Sequence, residues 1–276
     1  MPIRRNRHKC KPERRTSGRG RRPVRGRSAP LFSGAGVSPR VSDPVSLGCD
    51  PIDDLLGGGF ERGVVTQIYG PPAAGKTNLA LSAAVEVAAE GGSVLYIDTE
   101  GLSIDRFRQI AAAETDGDVE SVASRLIITE AYDFADQQEA VRDAAEFATE
   151  VDLIVLDSAT GFYRLERTGD AERGESLRQV ADQVTHLLSL ARRHDLAVVI
   201  TNQVFTDPES DRARPLGGHT LEHWTGVVLR VDRFRGGNRR ATLEKHRSKE
   251  TGDQATFRIT GSGIEPAGPS GGPDPF

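Results

Sequence analysis

A chain of 276 residues has room for one substantial domain or two small ones, and its formal net charge of -4 hides a strong asymmetry. Cys10 and Cys49 are its only cysteines, too few for a disulfide framework or a zinc spacing, so a reducing, cytoplasmic setting is expected. No apolar run approaches the ~20 residues that span a bilayer, and no apolar signal core follows the basic start, so no membrane association is expected.

Residues 1–40 carry 11 Arg and 2 Lys against one acid, Glu13, for a charge of +12; the remainder carries 23 basic and 39 acidic residues, for -16. Beyond residue 40 only Lys76, Lys245 and Lys249 are lysines. An acid-rich, lysine-poor globular part suits a salt-loaded cytoplasm that screens its self-repulsion, so a halophilic source is expected. Residues 1–44 are rich in Arg, Gly, Pro and Ser and cannot bury enough apolar surface to offset their ordering entropy; they read as a disordered basic tail. Its role stays open between an arm for nucleic acid, a tail without a role, and an over-extended start of the reading frame. Met1 is the only methionine, so a later start would use another codon, at Val37 or Val41.

From Val45 onward, strand-like and helix-like runs alternate. "VVTQIYG" (64–70) reads as a strand, followed by a helix to about Glu90. "SVLYIDTE" (93–100) and "RLIITE" (125–130) are strands, each followed by a helical stretch, 103–114 and 134–149. "VDLIVLDS" (151–158) is the most apolar strand and "LAVVITNQ" (196–203) the next. Between these two, Leu177, Val180, Val184, Leu187, Leu188 and Ala191 recur at helical spacing as a buried stripe. Near-continuous apolar strands separated by helices predict an α/β fold, a mostly parallel sheet covered on both faces. "WTGVVLRVDRF" (224–234), "RRATLEKHR" (239–247) and "ATFRITGSGI" (255–264) follow without intervening helices and predict a C-terminal antiparallel extension. Residues 266–276 are expected to form a flexible tail.

The most specific motif opens the first long helix. Gly70, Pro71, Pro72, Ala73, Ala74, Gly75, Lys76 and Thr77 fit the phosphate-binding loop G-x-x-x-x-G-K-[ST], between a strand and a helix, with Asn78 next. Glycines let the backbone N–H groups converge on an anion, and the helix N-terminus adds partial positive charge. Lys76 is then the β,γ-phosphate ligand and Thr77 a Mg²⁺ ligand. Asp157, at the carboxyl end of a buried strand, sits where a Mg²⁺-supporting acid belongs. Glu100, ending "YIDTE", is the candidate base that orients a water, against the alternative of a solvated strand-end acid. Gln203, closing "ITNQ", is the candidate γ-phosphate sensor, against the alternative of an amide bonded to backbone.

Taken in order, "LGCDPIDDLLGGGFERG" (47–63), "YGPPAAGKTN" (69–78), "YIDTEG" (96–101), "LIVLDS" (153–158), "VVITNQV" (198–204), "GGHTLEHWTGVVLRV" (217–231) and "ATFRITGSGIE" (255–265) resemble the RecA-like recombinase family. The resemblance implies a RecA-like ATPase core over 45–265 that uses ATP and Mg²⁺, with the roles above for Lys76, Thr77, Asp157, Glu100 and Gln203. It implies DNA binding by two loops, roughly 159–175 and 204–218, through Arg164, Arg167, Arg173, Arg212 and Arg214. Phe162 and Tyr163 could stack on bases or pack beneath the first loop. It implies a small accessory protein of homologous recombination and DNA repair, with weak ATPase activity and no strand exchange on its own. The implied partners are single-stranded or branched DNA, a RadA-type recombinase and a Holliday-junction resolvase, with a homo-oligomer as a further expectation. "FSGA" (32–35) echoes the F-x-x-A strand that joins RadA-like protomers. Lys245 and Arg247 alternate about His246 and resemble a finger acting on a neighbouring subunit's nucleotide; the alternative is a solvated edge. Two features depart from the family: Ala73 stands where glycine is common, and the second loop mixes its arginines with Asp207, Glu209 and Asp211. The runner-up from another class is a KaiC-like regulatory ATPase without a DNA role.

Overall fold

The computed structural model describes residues 42–162, 170–206 and 213–267, with the side chains of 170–174, 205, 206 and 213 left out. The chain divides into two units, residues 1–40 and 41–276, and every described residue belongs to the second. Six parallel strands carry the sheet: β1 (Val65–Tyr69), β2 (Val94–Asp98), β3 (Leu126–Glu130), β4 (Leu153–Asp157), β5 (Ala197–Asn202) and β8 (Val227–Arg233). Strands β9 (Arg239–Lys245), β10 (Gln254–Thr260) and β11 (Gly263–Pro266) continue it antiparallel, in the order β11-β10-β9-β8-β1-β5-β4-β2-β3. The mostly parallel sheet and its antiparallel C-terminal extension agree with the sequence reading.

Alternation along the buried strands sorts side chains onto two cores. On one face Ile68, Tyr96, Leu153, Val155 and Val199 pack under helix α2 (Lys76–Ala89), with α1 (Asp50–Leu56) and α3 (Ile104–Glu114). On the other, Leu95, Ile97, Ile154, Leu156, Val198 and Ile200 pack under α5 (Phe134–Phe147) and α6 (Asp170–His194). The six residues of the predicted stripe lie on α6; Val180, Val184, Leu187, Leu188 and Ala191 are buried, and Leu177 packs against them. Helix α2 is buried nearly all round because it lies between the sheet and its neighbouring helices. The helix ends follow local chemistry: Ser103 accepts the Arg106 amide at 3.2 Å and Asp133 the Asp136 amide at 2.8 Å.

Some elements differ from the sequence pattern. Short helices α1, α4 (Val119–Ala123) and α7 (Gly218–Trp224), and the hairpin of β6 (Val204–Thr206) with β7 (Ala213–Pro215), carry too few residues to show a period. The run read as a strand over 224–234 begins at the end of α7, and β8 starts only at Val227. The run 255–264 is two strands, because Thr260 pairs back on Gly263 across Gly261-Ser262.

The strand order sets up the site. The chain leaves β1, crosses to β2 and β3, then returns through β4 and β5 to fill the gap. The carboxyl ends of β1, β5, β4 and β2 therefore stand side by side. Such a crevice, where the winding direction reverses, is where open α/β sheets bind ligands.

Candidate nucleotide-binding site

The phosphate-binding loop joins β1 to α2. A Cβ on Gly70 would lie 2.0 Å from the Val231 carbonyl oxygen of β8, so only glycine lets the loop start against that strand. Gly75 caps α2 at φ 111°, and Ala73 holds φ 55°, a left-handed position that costs a residue with a Cβ about 1–2 kcal/mol. Lys76 is 9% exposed, and its Nζ donates to the carbonyls of Gly70 at 3.0 Å and Pro71 at 3.2 Å. Burial lowers the Lys76 pKa, against the pull of Glu100 and Asp157.

Asp157 is 2% exposed and fully engaged. Its Oδ2 accepts from the Tyr96 hydroxyl at 2.8 Å and its Oδ1 from Thr201 Oγ1, with Thr77 beside it. Burial raises its pKa, and these hydrogen bonds oppose the rise. Across the crevice, Glu100 Oε1 accepts from Ser158 Oγ at 2.7 Å and from Gln203 Nε2 at 3.0 Å. The two residues that sequence reading separated as base and sensor are thus directly bonded.

Their supports escaped the sequence reading. Asp98 accepts the amides of Glu100 at 3.1 Å, Gly101 at 3.0 Å and Leu102 at 2.5 Å, fixing the turn that presents Glu100. An acid ending a strand two residues before a candidate base was the available signal. The Gln203 amide donates to Thr160 Oγ1 at 3.3 Å, its carbonyl accepts the Leu216 amide at 2.9 Å, and Asn202 joins Thr160 to the Leu216 carbonyl. Gln203 is therefore tied to the start of one expected DNA loop and the end of the other.

A cavity of about 450 Å³ lies between these groups, lined by Pro72, Ala73 and the loop residues from Gly75 to Asn78 with Glu100, Gln203, Arg239 and Ile259. Asn78 accepts from Arg106 Nε at 2.8 Å, and Arg106 also reaches the carbonyls of Thr260 at 2.6 Å and Gly263 at 3.0 Å. Neither Arg106 nor Arg239 was expected from the sequence. Each stands far along the chain from the loop it serves.

Other expected residues lie elsewhere. Lys245 pairs opposite Val228, at the sheet end away from the phosphate loop. Its Nζ donates to the carbonyls of Glu222 at 2.5 Å and Thr225 at 2.8 Å, capping α7, and Arg247 pairs with Glu61. Arg164, Arg167, Arg212, Tyr163 and "FSGA" lie outside the described residues, as does the side chain of Arg173. Arg214 is exposed on β7, and Phe162 is half-buried against the α5–α6 core. Among the described residues no helix is long and apolar enough to cross a membrane, and no group of three His, Cys, Asp or Glu is placed to hold a metal.

This sheet order and phosphate-binding loop define a RecA-like ATPase domain with a nucleotide-binding site. The Rad51 family model matches residues 43–267. The DNA repair and recombination protein RadB of Halobacterium salinarum is 65% identical over 222 residues, 80% of this chain and 94% of that protein. Its counterpart in Archaeoglobus fulgidus is 45% identical over 224 residues, 80% of this chain and 98% of that one. A crystal structure of the RadB recombinase aligns with a TM-score of 0.70 at 38% identity, over 81% of this chain and 100% of that one. The chain belongs to the Rad51 family of RecA-like proteins, in its archaeal RadB group.

Proposed function

We propose that this chain is an ATP- and DNA-binding accessory protein of DNA repair and recombination, a slow ATPase that does not exchange strands on its own. The observation that carries the reading is the Glu100–Gln203 hydrogen bond at the mouth of the phosphate-loop cavity, with Lys76, Thr77 and Asp157 behind it. The oxygen donors of Thr77 and Asp157 suit Mg²⁺, a hard cation, and the cavity of about 450 Å³ suits a nucleotide. Mg²⁺–ATP supplies the reactive phosphoryl group and a neutralising cation. Lys76 leaves the Gly70 and Pro71 carbonyls to hold the β- and γ-phosphates. Thr77 and Asp157 would hold the ion. Glu100 orients the attacking water and accepts its proton, and Gln203 reads the terminal phosphate and moves the loop segments bonded to it.

Two features support slow turnover. Glu100 Oε1 accepts from both Ser158 and Gln203, so only the other carboxylate oxygen is left for water, and Gln203 must leave Glu100 before it can reach a terminal phosphate. Ala73 also spends strain in the loop that must wrap the phosphates. DNA binding is assigned to Arg164, Arg167, Arg173, Arg212 and Arg214, with single-stranded or branched DNA as ligand. A RadA-type recombinase and a Holliday-junction resolvase are the proposed protein partners. In a homo-oligomer, Lys245 and Arg247 would act on the neighbouring nucleotide. The cell compartment is the cytoplasm, and the acid-rich core together with the Halobacterium relative supports a salt-loaded one. Residues 45–265 are the functional core, with 1–44 and 266–276 as tails.

Calorimetric titration of ATP into the parent protein and Lys76→Ala, with salt-titrated DNA binding alongside, tests the reading. Parent-like nucleotide affinity in Lys76→Ala would remove the site. DNA affinity that is absent at every salt concentration would favour a regulatory ATPase instead.

A further inference from the structure

The register of β8 and β9 sets Arg233 directly opposite Arg239. Like charges facing each other across an antiparallel ladder destabilise it. The acids of the same strands are already engaged: Asp232 by Arg230 at 2.9 Å, and Glu244 by the Tyr69 hydroxyl, with Arg230 4.0 Å away. Among the described residues, neither Arg233 nor Arg239 has a carboxylate within ion-pair distance. In a segment of charge -16, two facing arginines without an acid between them call for an anion from outside the chain.

Their position says which anion. Both stand at the sheet end that carries the phosphate-binding loop, where Val231 of β8 lies against Gly70. Arg233 donates to the Pro72 carbonyl at 3.5 Å, so its guanidinium rests on the rim of the loop. Arg239 lines the cavity together with Lys76, Thr77, Glu100 and Gln203. Its Nη1 donates to the carbonyls of Gly237 at 2.7 Å and Asn238 at 3.2 Å, which anchors the side chain, and its Nε is enclosed, which leaves Nη2 as the nitrogen to meet a ligand in the cavity. An anchored guanidinium with donors in reserve is preorganised for phosphate oxygens.

We propose that Arg239, backed by Arg233, is a second cationic wall of the nucleotide site that binds the terminal phosphate of a nucleoside triphosphate held by the same chain's phosphate loop. The bound anion relieves the repulsion between the two arginines. Nucleotide binding therefore tightens the β8–β9 hairpin onto the loop. The assignment to the terminal phosphate follows from Glu100 and Gln203, which share the cavity with Arg239, and it rests on the reading of that cavity as the nucleotide site.

The test is calorimetric titration of a non-hydrolysable ATP analogue and of ADP, each with Mg²⁺ at fixed KCl. The proteins are the parent, Arg239→Ala, Arg239→Lys, Lys76→Ala and Arg235→Ala, a change at the exposed hairpin tip. Arg239→Ala should weaken the triphosphate analogue about ten- to hundredfold, as for loss of a charge-assisted hydrogen bond, and ADP by clearly less. Arg239→Lys should recover part of the loss, and Arg235→Ala should stay within about twofold of the parent. Thermal melts without nucleotide should show Arg239→Ala folded and close to the parent, because the lost like-charge pair offsets the lost bonds to Gly237 and Asn238. Triphosphate affinity within about twofold of the parent in Arg239→Ala, while Lys76→Ala loses binding, would overturn the arginine wall and leave the phosphate loop standing. Equal losses for the analogue and ADP would overturn the terminal-phosphate assignment. Parent-like binding in Lys76→Ala would overturn both readings.

Discussion

Replacing Asp98 with Asn tests whether Glu100 works because its turn is held. Asp98 is 5% exposed and its carboxylate collects three backbone amides in the turn from Glu100 to Leu102. The Asn carbonyl can keep the Glu100 and Gly101 amides, which share Oδ1. Its NH2 group then faces the Leu102 amide, donor against donor. Losing one bond to a charged acceptor and weakening two others costs about 2–3 kcal/mol, taking about 1.5–3 kcal/mol for a bond to a charged group. For a domain of this size that lowers Tm by about 5–10 °C. The larger effect is on chemistry: a carboxylate displaced by about 1 Å loses on the order of a hundredfold in rate. Single-turnover ATP hydrolysis with enzyme in excess separates the two effects when run well below the lowered Tm. Nucleotide affinity should stay within about threefold of the parent, because no phosphate ligand is touched. The rate should fall toward that of Glu100→Gln, which keeps its stability. A protein that melts earlier yet hydrolyses at the parent rate would show that the turn does not position the base.

Other outcomes follow from the same structure. Burial and the hydrogen-bonded neighbour Glu114, with Glu90 and Asp53 nearby, push the Glu86 carboxyl up from 4.5 to about 7. Between those two values the folded state holds the extra proton, so this contribution is full at low pH and is lost as pH rises through about 7. Melting temperature at low salt should fall between pH 5 and pH 8, and Glu86→Gln should flatten the fall; an unchanged slope would refute the assignment. Replacing Arg164, Arg167 and Arg173 by Ala should weaken DNA binding and reduce its salt slope, read by anisotropy across a KCl series. An unaltered slope would move binding to residues 1–40. Lys245→Ala/Arg247→Ala should lose activity and should regain some when mixed with Glu100→Gln, because one interface in the mixture is intact. Strictly linear concentration dependence with full activity of the double variant would end the trans role.

What the sequence made legible was local. Buried strands announce themselves as apolar runs, and Gly70 to Thr77 is a motif because one loop does all the phosphate work. Asp157, Glu100 and Gln203 were found because Asp157 ends β4 and the other two follow the ends of β2 and β5 within two residues. Their hydrogen bonds were not legible, because Glu100 and Gln203 meet only after β4 and β5 fill the gap beside β1. Arg239 and Arg106 were missed for the same reason, contact made only in the fold: the antiparallel return brings Arg239 to the loop, and the packing of α3 beside α2 brings Arg106 to Asn78. The lysines show the reverse case. Their scarcity was noticed, but the reason appears only in three dimensions, where Lys76, Lys245 and Lys249 all donate to backbone carbonyls. Lys245 closes the last turn of α7 and Lys249 that of α1, two helices too short to be read from periodicity.

The central claim is that this crevice turns over ATP through Glu100 and that Gln203 couples it to DNA. The most direct measurement is the ATPase rate of the parent, Glu100→Gln and Gln203→Ala, with and without single-stranded DNA, at several molar concentrations of KCl. A slow parental rate that rises with DNA, a silent Glu100→Gln, and a Gln203→Ala that hydrolyses without responding to DNA are the results predicted. A rate that survives Glu100→Gln, or the same DNA response in Gln203→Ala as in the parent, would contradict the account.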